Sequence, residues 1–344
     1  MSIRGRGINY DTGFAPAGQT SRPNFDPAQV ERELQVIAQE LHCTSVRISG
    51  ADPERIEIAA RLAADAGLEV WFAPFPCELS REDTATILLD CAERAEKLRQ
   101  SGAEVVLVTG CELSLFGAGF VPGYTFAERI PNLFSSDVGA VCAELSDYLA
   151  TVAADCRTRF GGKITYAAGP WEEIDWTPFD IVAVDGYRDA SNKDHFPYLI
   201  KRRFEHGKPV AITEFGSCGY VGAGDKGGMG WAIVDMESDL TRLDGDYVRD
   251  EGEQVRYLND LLRIFDAAGV DSAFWFTFAG YRFPQRDDPR LDLDMATYGV
   301  VAIQDDEGAT WRPKEVFHAL AAAYDPAAHD PASYDPASYD PAEG

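Results

Sequence analysis

The chain has 344 residues, of which 45% are hydrophobic and 11% aromatic, so it can bury a large core and is not a disordered polar chain. Asp and Glu number 57 against 31 Lys and Arg, which gives a formal net charge of -26 at pH 7. We therefore expect no nucleic acid and no anionic membrane as a partner, because this charge repels phosphate groups. No apolar run approaches the roughly 20 residues that a membrane span needs.

The cysteines bear on the compartment and on metal binding. Seven of them are scattered along the chain, and no two form a Cys-x-x-Cys pair. The amino-terminal residues carry Arg4 and Arg6 but no apolar stretch of signal-peptide length. Dispersed thiols in odd number are typical of a reducing compartment. We therefore expect a cytoplasmic protein with reduced thiols, with no metal site and no cofactor.

Short runs rich in β-branched residues alternate along the chain with long amphipathic runs, which is typical of repeated βα units. Asp26 and Pro27 predict the cap and the first residue of the first helix. Ser80 with Asp83 resembles a capping box for the third helix. Eight strands are predicted, over residues 7–10, 44–49, 69–73, 104–109, 163–167, 180–184, 209–213 and 272–276.

The predicted helices follow these strands, except that the helix between the fifth and sixth strands is weak. A long loop is predicted over residues 110–131. Eight βα units indicate a (β/α)8 TIM barrel of the α/β class, and a doubly wound open sheet is the alternative. The helices are predicted over residues 27–42, 53–66, 81–100, 136–160, 196–206, 250–268 and 313–324.

The end of the chain differs from the rest in composition. From Tyr324 onward it repeats Asp-Pro-Ala about every five residues. Proline at this spacing prevents a helix, and the segment has little apolar surface to bury. We expect a single barrel domain over residues 1–325 and a disordered acidic tail over residues 326–344.

Two glutamates follow apolar strands at the end where a TIM barrel places its active site. Glu112 comes directly after the fourth strand, and Glu214 comes at the end of the seventh. These strands lie across the barrel mouth from one another, so both carboxyl groups can reach one substrate bond. Two carboxyl groups about 5 to 5.5 Å apart are what a retaining glycosidase uses, one as nucleophile and one as acid and base.

The segments Thr109-Gly110-Cys111-Glu112-Leu113 and Ile212-Thr213-Glu214-Phe215-Gly216 resemble those of the (β/α)8 clan A, or 4/7, superfamily of retaining glycosidases. The resemblance implies that Glu112 is the acid and base and that Glu214 is the nucleophile. It also implies that Arg47 on the second strand and Tyr187 after the sixth support the nucleophile. Trp275 on the eighth strand resembles the tryptophan that floors the sugar subsite.

Further residues near the strand ends are candidates for substrate binding. Cys111 stands where the superfamily usually has an asparagine that contacts the sugar 2-hydroxyl. A thiol is a much weaker hydrogen-bond partner than an amide, so an apolar aglycone or an unusual substrate becomes an alternative. Asp185 shares strand parity with Tyr187 and is another inward-facing candidate. The remaining candidates are Trp171 after the fifth strand, and Asn9 and Asp11 at the first.

These observations together predict a retaining glycoside hydrolase, or a transglycosylase, that acts on a β-linked glycoside. A barrel that binds a carbohydrate or another metabolite without cleaving it is the alternative, and each carboxylate could instead pair structurally with an arginine at the rim. A metal-dependent hydrolase is disfavoured because the five histidines form no His-x-His pair. The sugar, the linkage and the oligomeric state stay open.

Overall fold

The computed structural model describes residues 2–235 and 241–329. Eight parallel strands close into a barrel in sequence order, with β1 paired to both β2 and β8. The predicted (β/α)8 barrel is confirmed, and the open sheet is excluded because the sheet has no free edge. The barrel strands are β1 (Gly5–Asp11), β2 (Ser45–Gly50), β3 (Glu69–Pro74), β4 (Val105–Cys111), β5 (Lys163–Ala168), β6 (Val182–Asp185), β7 (Val210–Phe215) and β8 (Ser272–Trp275).

Helices cover the barrel, and two of them begin at the predicted caps. Asp26 accepts a hydrogen bond from the backbone N–H of Ala28, and Ser80 accepts one from that of Asp83. The weak helix expected between β5 and β6 is absent from the described chain. The helices are α1 (Pro27–Gln39), α2 (Pro53–Asp65), α3 (Arg81–Gln100), α4 (Leu113–Phe116), α5 (Phe126–Ser135), α6 (Val138–Arg157), α7 (Phe196–Arg202), α8 (Glu251–Ala268) and α9 (Glu315–Tyr324).

The prediction of one continuous loop over residues 110–131 is wrong, because α4 and the first part of α5 lie in it. The hydroxyl of Thr125 caps α5 by accepting a hydrogen bond from the N–H of Glu128 at 3.3 Å. Pro131 lies inside α5, and a proline in the middle of a helical pattern is a poor indicator of helix. This helix lies beside the barrel mouth and contributes to its rim.

Alternate residues of the strands face two different cores. One set packs outward against the helices, with Val46, Ile48 and Phe72 among its members. The other set fills the barrel interior, where Trp71 and Phe274 meet with ring centroids 4.7 Å apart. The interior therefore has a packed apolar floor, and the carboxyl groups of Asp185 and Glu214 lie at the carboxyl ends of their strands.

Two features lie outside the barrel. Two short antiparallel strand pairs lie in the loops after β7 and β8. They join Val234–Asp235 to Arg242–Leu243 and Val301–Ile303 to Trp311–Pro313. At the carboxyl end, Pro326–His329 forms a 3-10 turn, whereas residues 330–344 of the predicted disordered tail lie outside the described residues. No helix in the described part of the chain is long and apolar enough to span a bilayer.

Candidate active site

Glu214 lies near the carboxyl end of β7 and is only 8% exposed. Arg47, which is fully buried on β2, reaches it across the barrel interior. The Arg47 Nη1 atom donates to Glu214 Oε1 at 2.6 Å and to Asn9 Oδ1 at 2.7 Å. Tyr187 approaches from the segment after β6, and its hydroxyl donates to Glu214 Oε2 at 3.0 Å. Both carboxylate oxygens therefore have a donor, and the guanidinium stabilises their negative charge.

Glu112 follows β4 in an unusual backbone conformation. Its φ of 44° and ψ of 43° lie in the left-handed region, which non-glycine residues seldom adopt. The backbone N–H of Glu112 donates to Ala167 O at 3.0 Å, after a register shift between β4 and β5 that begins beyond Val108. Surrounding contacts hold this turn, and strained backbone of this kind clusters at functional sites.

The turn brings the half-buried Glu112 near enough to Asp185 for the charge of that carboxyl group to act on it. Asp185 ends β6 and lies beside Glu214 in the register of β6 and β7. The Thr213 hydroxyl donates to Asp185 Oδ1 at 2.8 Å, and Cys111 Sγ lies 3.5 Å from Asp185 Oδ2. Three carboxyl groups therefore share one end of the barrel.

Burial and mutual repulsion act on the titration of these groups. Burial raises the pKa of Glu112 well above its ordinary value, and the charges of Asp185 and Glu214 raise it further. Burial and the charge of Glu214 likewise raise the pKa of Asp185, although Arg47 and hydrogen bonds from Thr213 and Cys111 oppose the shift. One acid is thus favoured in its protonated form beside a carboxylate that is paired with arginine.

Cys111, Asp185 and Glu214 place one sulfur and two carboxylate oxygens within 4.8 Å of one another. Such a set could in principle hold a cation. Here, however, Arg47 already donates to Glu214 Oε1, and burial raises the pKa of the Cys111 thiol well above its ordinary value. A protonated thiol is a donor and a poor metal ligand. The thiol fits this site as a weak donor to its acidic neighbours, with Glu214 Oε1 at 3.7 Å.

Asn9, predicted to bind a sugar hydroxyl, is fully buried and uses both ends of its amide within the protein. Its Nδ2 donates to Thr213 O at 2.9 Å, and its Oδ1 accepts from Arg47. Asn9 therefore orients Arg47. Asp11 closes a local turn by accepting from Gly13 N at 2.7 Å. Both side chains are used internally.

The two tryptophans predicted as candidates differ in outcome, because only Trp275 lies elsewhere than predicted. The structure does not place Trp275 as a sugar floor: it is 0% exposed, packs edge-on against Phe215 in the outer core, and donates through Nε1 to Tyr298 O at 3.0 Å. Strand parity explains this, because its neighbour Phe274 takes the inward position. The half-buried ring after β8 is that of Phe276, which packs against Tyr298. Trp171 lies after β5, with its indole N–H on Ser114 Oγ at 3.0 Å.

Two features of the mouth were not predicted. Glu172 is a fully buried carboxylate that accepts hydrogen bonds from Ser114 N, Gly169 N and the Tyr166 hydroxyl, and so braces the turn that carries Glu112. Its only sequence signal is an acidic pair after β5. Aromatic side chains also contact one another around the mouth, from the loop after β1 to the loop after β7. They are Phe14, Phe75, Phe116, Phe126 and Trp231.

A comparison of the sequence with protein-family models and with curated proteins finds no match. Solved structures share its fold. A GH113 β-mannanase from Alicyclobacillus acidocaldarius is 14% identical with a TM-score of 0.59, and covers 94% of this chain and 97% of its own. A family 1 β-glucosidase from Thermotoga maritima is 10% identical with a TM-score of 0.56, and covers 92% of this chain and 96% of its own. These similarities show that the chain shares the (β/α)8 fold of these two glycosidases, as the resemblance implied.

Proposed function

We propose that this protein is a retaining glycosidase, or a transglycosylase with the same covalent intermediate, that acts on β-linked glycosides. The observation that carries the proposal is the asymmetry of two carboxyl groups at one barrel mouth. Glu214 is paired with Arg47 at 2.6 Å, whereas burial and two nearby carboxylates raise the pKa of Glu112. A nucleophile needs the first environment and a general acid needs the second. The glycosidases that share the fold add support.

In the first step, a Glu214 oxygen attacks the anomeric carbon as the bond to the leaving oxygen breaks. Glu112 gives its proton to that leaving oxygen, so the aglycone departs as an alcohol. Glu214 becomes a neutral ester at the moment when Glu112 becomes a carboxylate, and the total charge of the site is conserved. The cost of a second buried charge is therefore avoided during the reaction.

In the second step, Glu112 takes a proton from water or from a hydroxyl group of an acceptor sugar. The oxygen of that water or hydroxyl group attacks the anomeric carbon. The ester bond breaks, and Glu214 leaves as a carboxylate that Arg47 and Tyr187 again stabilise. Two displacements restore the β configuration. The sugar is tested with glucosides and mannosides, because the similar structures are described as a β-glucosidase and a β-mannanase.

The proposed location is the cytoplasm. All seven cysteines are free in the structure, and six of them are buried. Thiols left unpaired throughout a chain are typical of a reducing compartment.

The test uses aryl β-glycosides whose phenols differ in acidity. In Glu112→Ala, we expect kcat/KM to fall by about 10²- to 10⁴-fold for weakly acidic phenols and little for dinitrophenol, which leaves without a proton donor. Wild-type protein should release the β anomer first, as seen by NMR. Release of the α anomer, or an equal loss on all leaving groups, contradicts the proposal.

The alternative function is carbohydrate binding without cleavage, and the observation that favours it is Cys111 beside Glu112. Its thiol points to Asp185 and Glu214 and is a poor partner for a sugar hydroxyl. Saturable binding of a β-glycoside, measured by calorimetry, with no hydrolysis of the dinitrophenyl glycosides, favours this alternative.

A further inference from the structure

We propose that the leaving group of the substrate is apolar, an alkyl or aryl group rather than a second sugar, and that it binds against five aromatic rings at the barrel mouth. We call these rings the aromatic arc. They belong to Phe14, Phe75, Phe116, Phe126 and Trp231. The inference rests on the proposed function and deepens it, because it names the class of substrate that the same site takes.

The aromatic arc lies beside the proposed acid. Phe116 lies in α4, one helical turn after Glu112, and its backbone N–H donates to Glu112 O at 2.9 Å. Phe75 and Phe116 also pack in the interior apolar cluster that contains Cys111, whose Sγ lies 3.7 Å from Glu214 Oε1. The acid gives its proton to the leaving oxygen, so the leaving group lies on the acid's side of the bond that breaks. The arc is therefore placed for the leaving group.

The rings form one continuous apolar surface. Successive ring centroids, taken in the order Phe14, Phe75, Phe116, Phe126 and Trp231, are 5.2, 4.8, 4.5 and 6.3 Å apart. The last contact joins α5, which follows β4, to the loop after β7. The arc thus connects the two loops that follow the strands of the proposed acid and nucleophile. Phe116 and Phe126 are half-buried and Trp231 is 36% exposed, so surface is left to contact a ligand.

Polar side chains beside the arc hold its backbone. Glu78 Oε1 accepts from Phe126 N at 2.8 Å, and the fully buried Arg129 donates through Nη2 to Phe116 O at 3.2 Å. A second sugar would bring several hydroxyl groups, and each loses free energy if it is buried without a hydrogen-bond partner. An alkyl or aryl group has no such requirement. An anionic leaving group is disfavoured as well, because the chain carries a formal net charge of -26.

The far end of the arc is held in position before any ligand binds. Gly230, directly before Trp231, donates through its N–H to the Tyr298 hydroxyl at 3.0 Å and accepts from the Tyr220 hydroxyl at 2.8 Å. A binding surface that is already ordered costs less entropy when a ligand binds. This backbone anchoring favours a ligand-binding role for Trp231 over that of a mobile surface side chain.

The test measures binding, so it does not depend on turnover. Alkyl 1-thio-β-glucosides and 1-thio-β-mannosides with methyl, butyl and hexyl chains are titrated by calorimetry, since their sulfur is a poor proton acceptor and they are cleaved slowly. We expect the affinity to rise about two- to fourfold for each added methylene, because each one buries apolar surface. S-linked disaccharides of the same sugars should bind more weakly than the hexyl compounds.

Two variants locate this gain. Trp231→Ala and Phe126→Ala should each lose about tenfold more affinity for the hexyl compound than for the methyl compound, because a large apolar contact is removed. Phe134→Ala is the matched control, since Phe134 also lies on α5 but is 79% exposed and outside the arc. It should keep the full dependence on chain length. Trp231 lies at the surface, so its variant carries the test even if Phe126→Ala does not fold.

Three results would overturn the inference. They are equal affinities for the methyl and hexyl compounds, tighter binding of the S-linked disaccharides, and a dependence on chain length that both variants retain. The proposed function fails separately, if wild type hydrolyses no dinitrophenyl glycoside or releases the α anomer first. Hydrolysis with retention and no dependence of binding on chain length would leave the proposed function standing and remove only the inference.

Discussion

Two Arg–Glu pairs within the described residues, Arg22 with Glu33 and Arg47 with Glu214, are buried and differ in how many hydrogen bonds the carboxylate accepts. The first pair joins Arg22, in the loop after β1, to Glu33 of α1. The Glu33 carboxylate accepts hydrogen bonds at 2.5 to 3.2 Å from Arg22, Gln29, Tyr10 and Tyr281. At the barrel mouth, Glu214 accepts from Arg47 and Tyr187, with the Cys111 thiol more distant. The first pair has four donors and the second has two strong ones.

The neighbours differ as well. The Arg22 guanidinium lies 3.8 Å from the centre of the Tyr281 ring, within an apolar and aromatic shell. Glu214 instead has two further acids beside it, Asp185 and Glu112. A buried carboxylate that accepts hydrogen bonds on all sides stabilises the fold. A carboxylate that accepts fewer hydrogen bonds and lies beside other acids can react with a substrate. Burial of an Arg–Glu pair therefore does not identify an active site, but the presence of further acidic side chains beside the pair does.

The sharpest test of this contrast exchanges the two glutamates for alanine. We expect Glu214→Ala to lower kcat/KM on an aryl glycoside by about 10⁴-fold or more, because no nucleophile is left. Glu33→Ala should keep the wild-type rate per folded molecule, with the folded fraction measured by circular dichroism. Equal losses of kcat/KM in both variants would contradict the assignment of Glu214 as catalytic and of Glu33 as structural.

The next largest effect concerns stability. Glu33→Gln leaves the buried Arg22 guanidinium without its counter-charge, and we expect the free energy of unfolding to fall by about 3 to 5 kcal/mol. Urea denaturation measures it. Arg4→Gln provides the exposed control, since the half-exposed Arg4 pairs with Glu69 and Asp271 and the change should cost about 1 kcal/mol or less. A small loss in Glu33→Gln contradicts a structural role for that pair.

A smaller effect is expected for Tyr187→Phe, which removes one hydrogen bond to Glu214 Oε2. A hydrogen bond to a charged group contributes about 1.5 to 3 kcal/mol, so kcat/KM should fall by roughly 10- to 100-fold. Tyr257→Phe is the control, because that hydroxyl bonds to the backbone of Arg188 and lies away from Glu214. Similar rates in both variants would show that Tyr187 does not support the nucleophile.

The smallest effects separate the two aromatic residues at the end of β8. Trp275→Phe opens space in the outer core, so we expect a loss of stability of about 1 to 3 kcal/mol with an unchanged KM. Phe276→Ala removes a half-buried ring beside the mouth, and KM should rise roughly tenfold. If KM responds to Trp275 and not to Phe276, the position derived from strand parity is wrong.

How much of this the sequence could predict depends on the range of the interactions. The apolar strands that precede Glu112 and Glu214 are local patterns. The barrel is predicted from eight such strands that alternate with helices along the chain. The orientation of Trp275 depends on a one-residue difference in strand parity, which sequence periodicity over four residues cannot determine. The bonds of Asn9 to Arg47, and of Glu172 to the turn after β4, join residues far apart in the chain. Only the folded barrel brings them together.

The assignment of Glu214 as the nucleophile is tested most directly by the site of covalent labelling with a slowly hydrolysed sugar. Wild-type protein is incubated with dinitrophenyl 2-deoxy-2-fluoro-β-glucoside and the corresponding mannoside, digested, and mapped by mass spectrometry. If Glu214 is the nucleophile, we expect one sugar ester per chain, on Glu214, and none in Glu214→Gln. A label on Glu112 or Asp185, or inactivation without any ester, would contradict the assignment of the nucleophile.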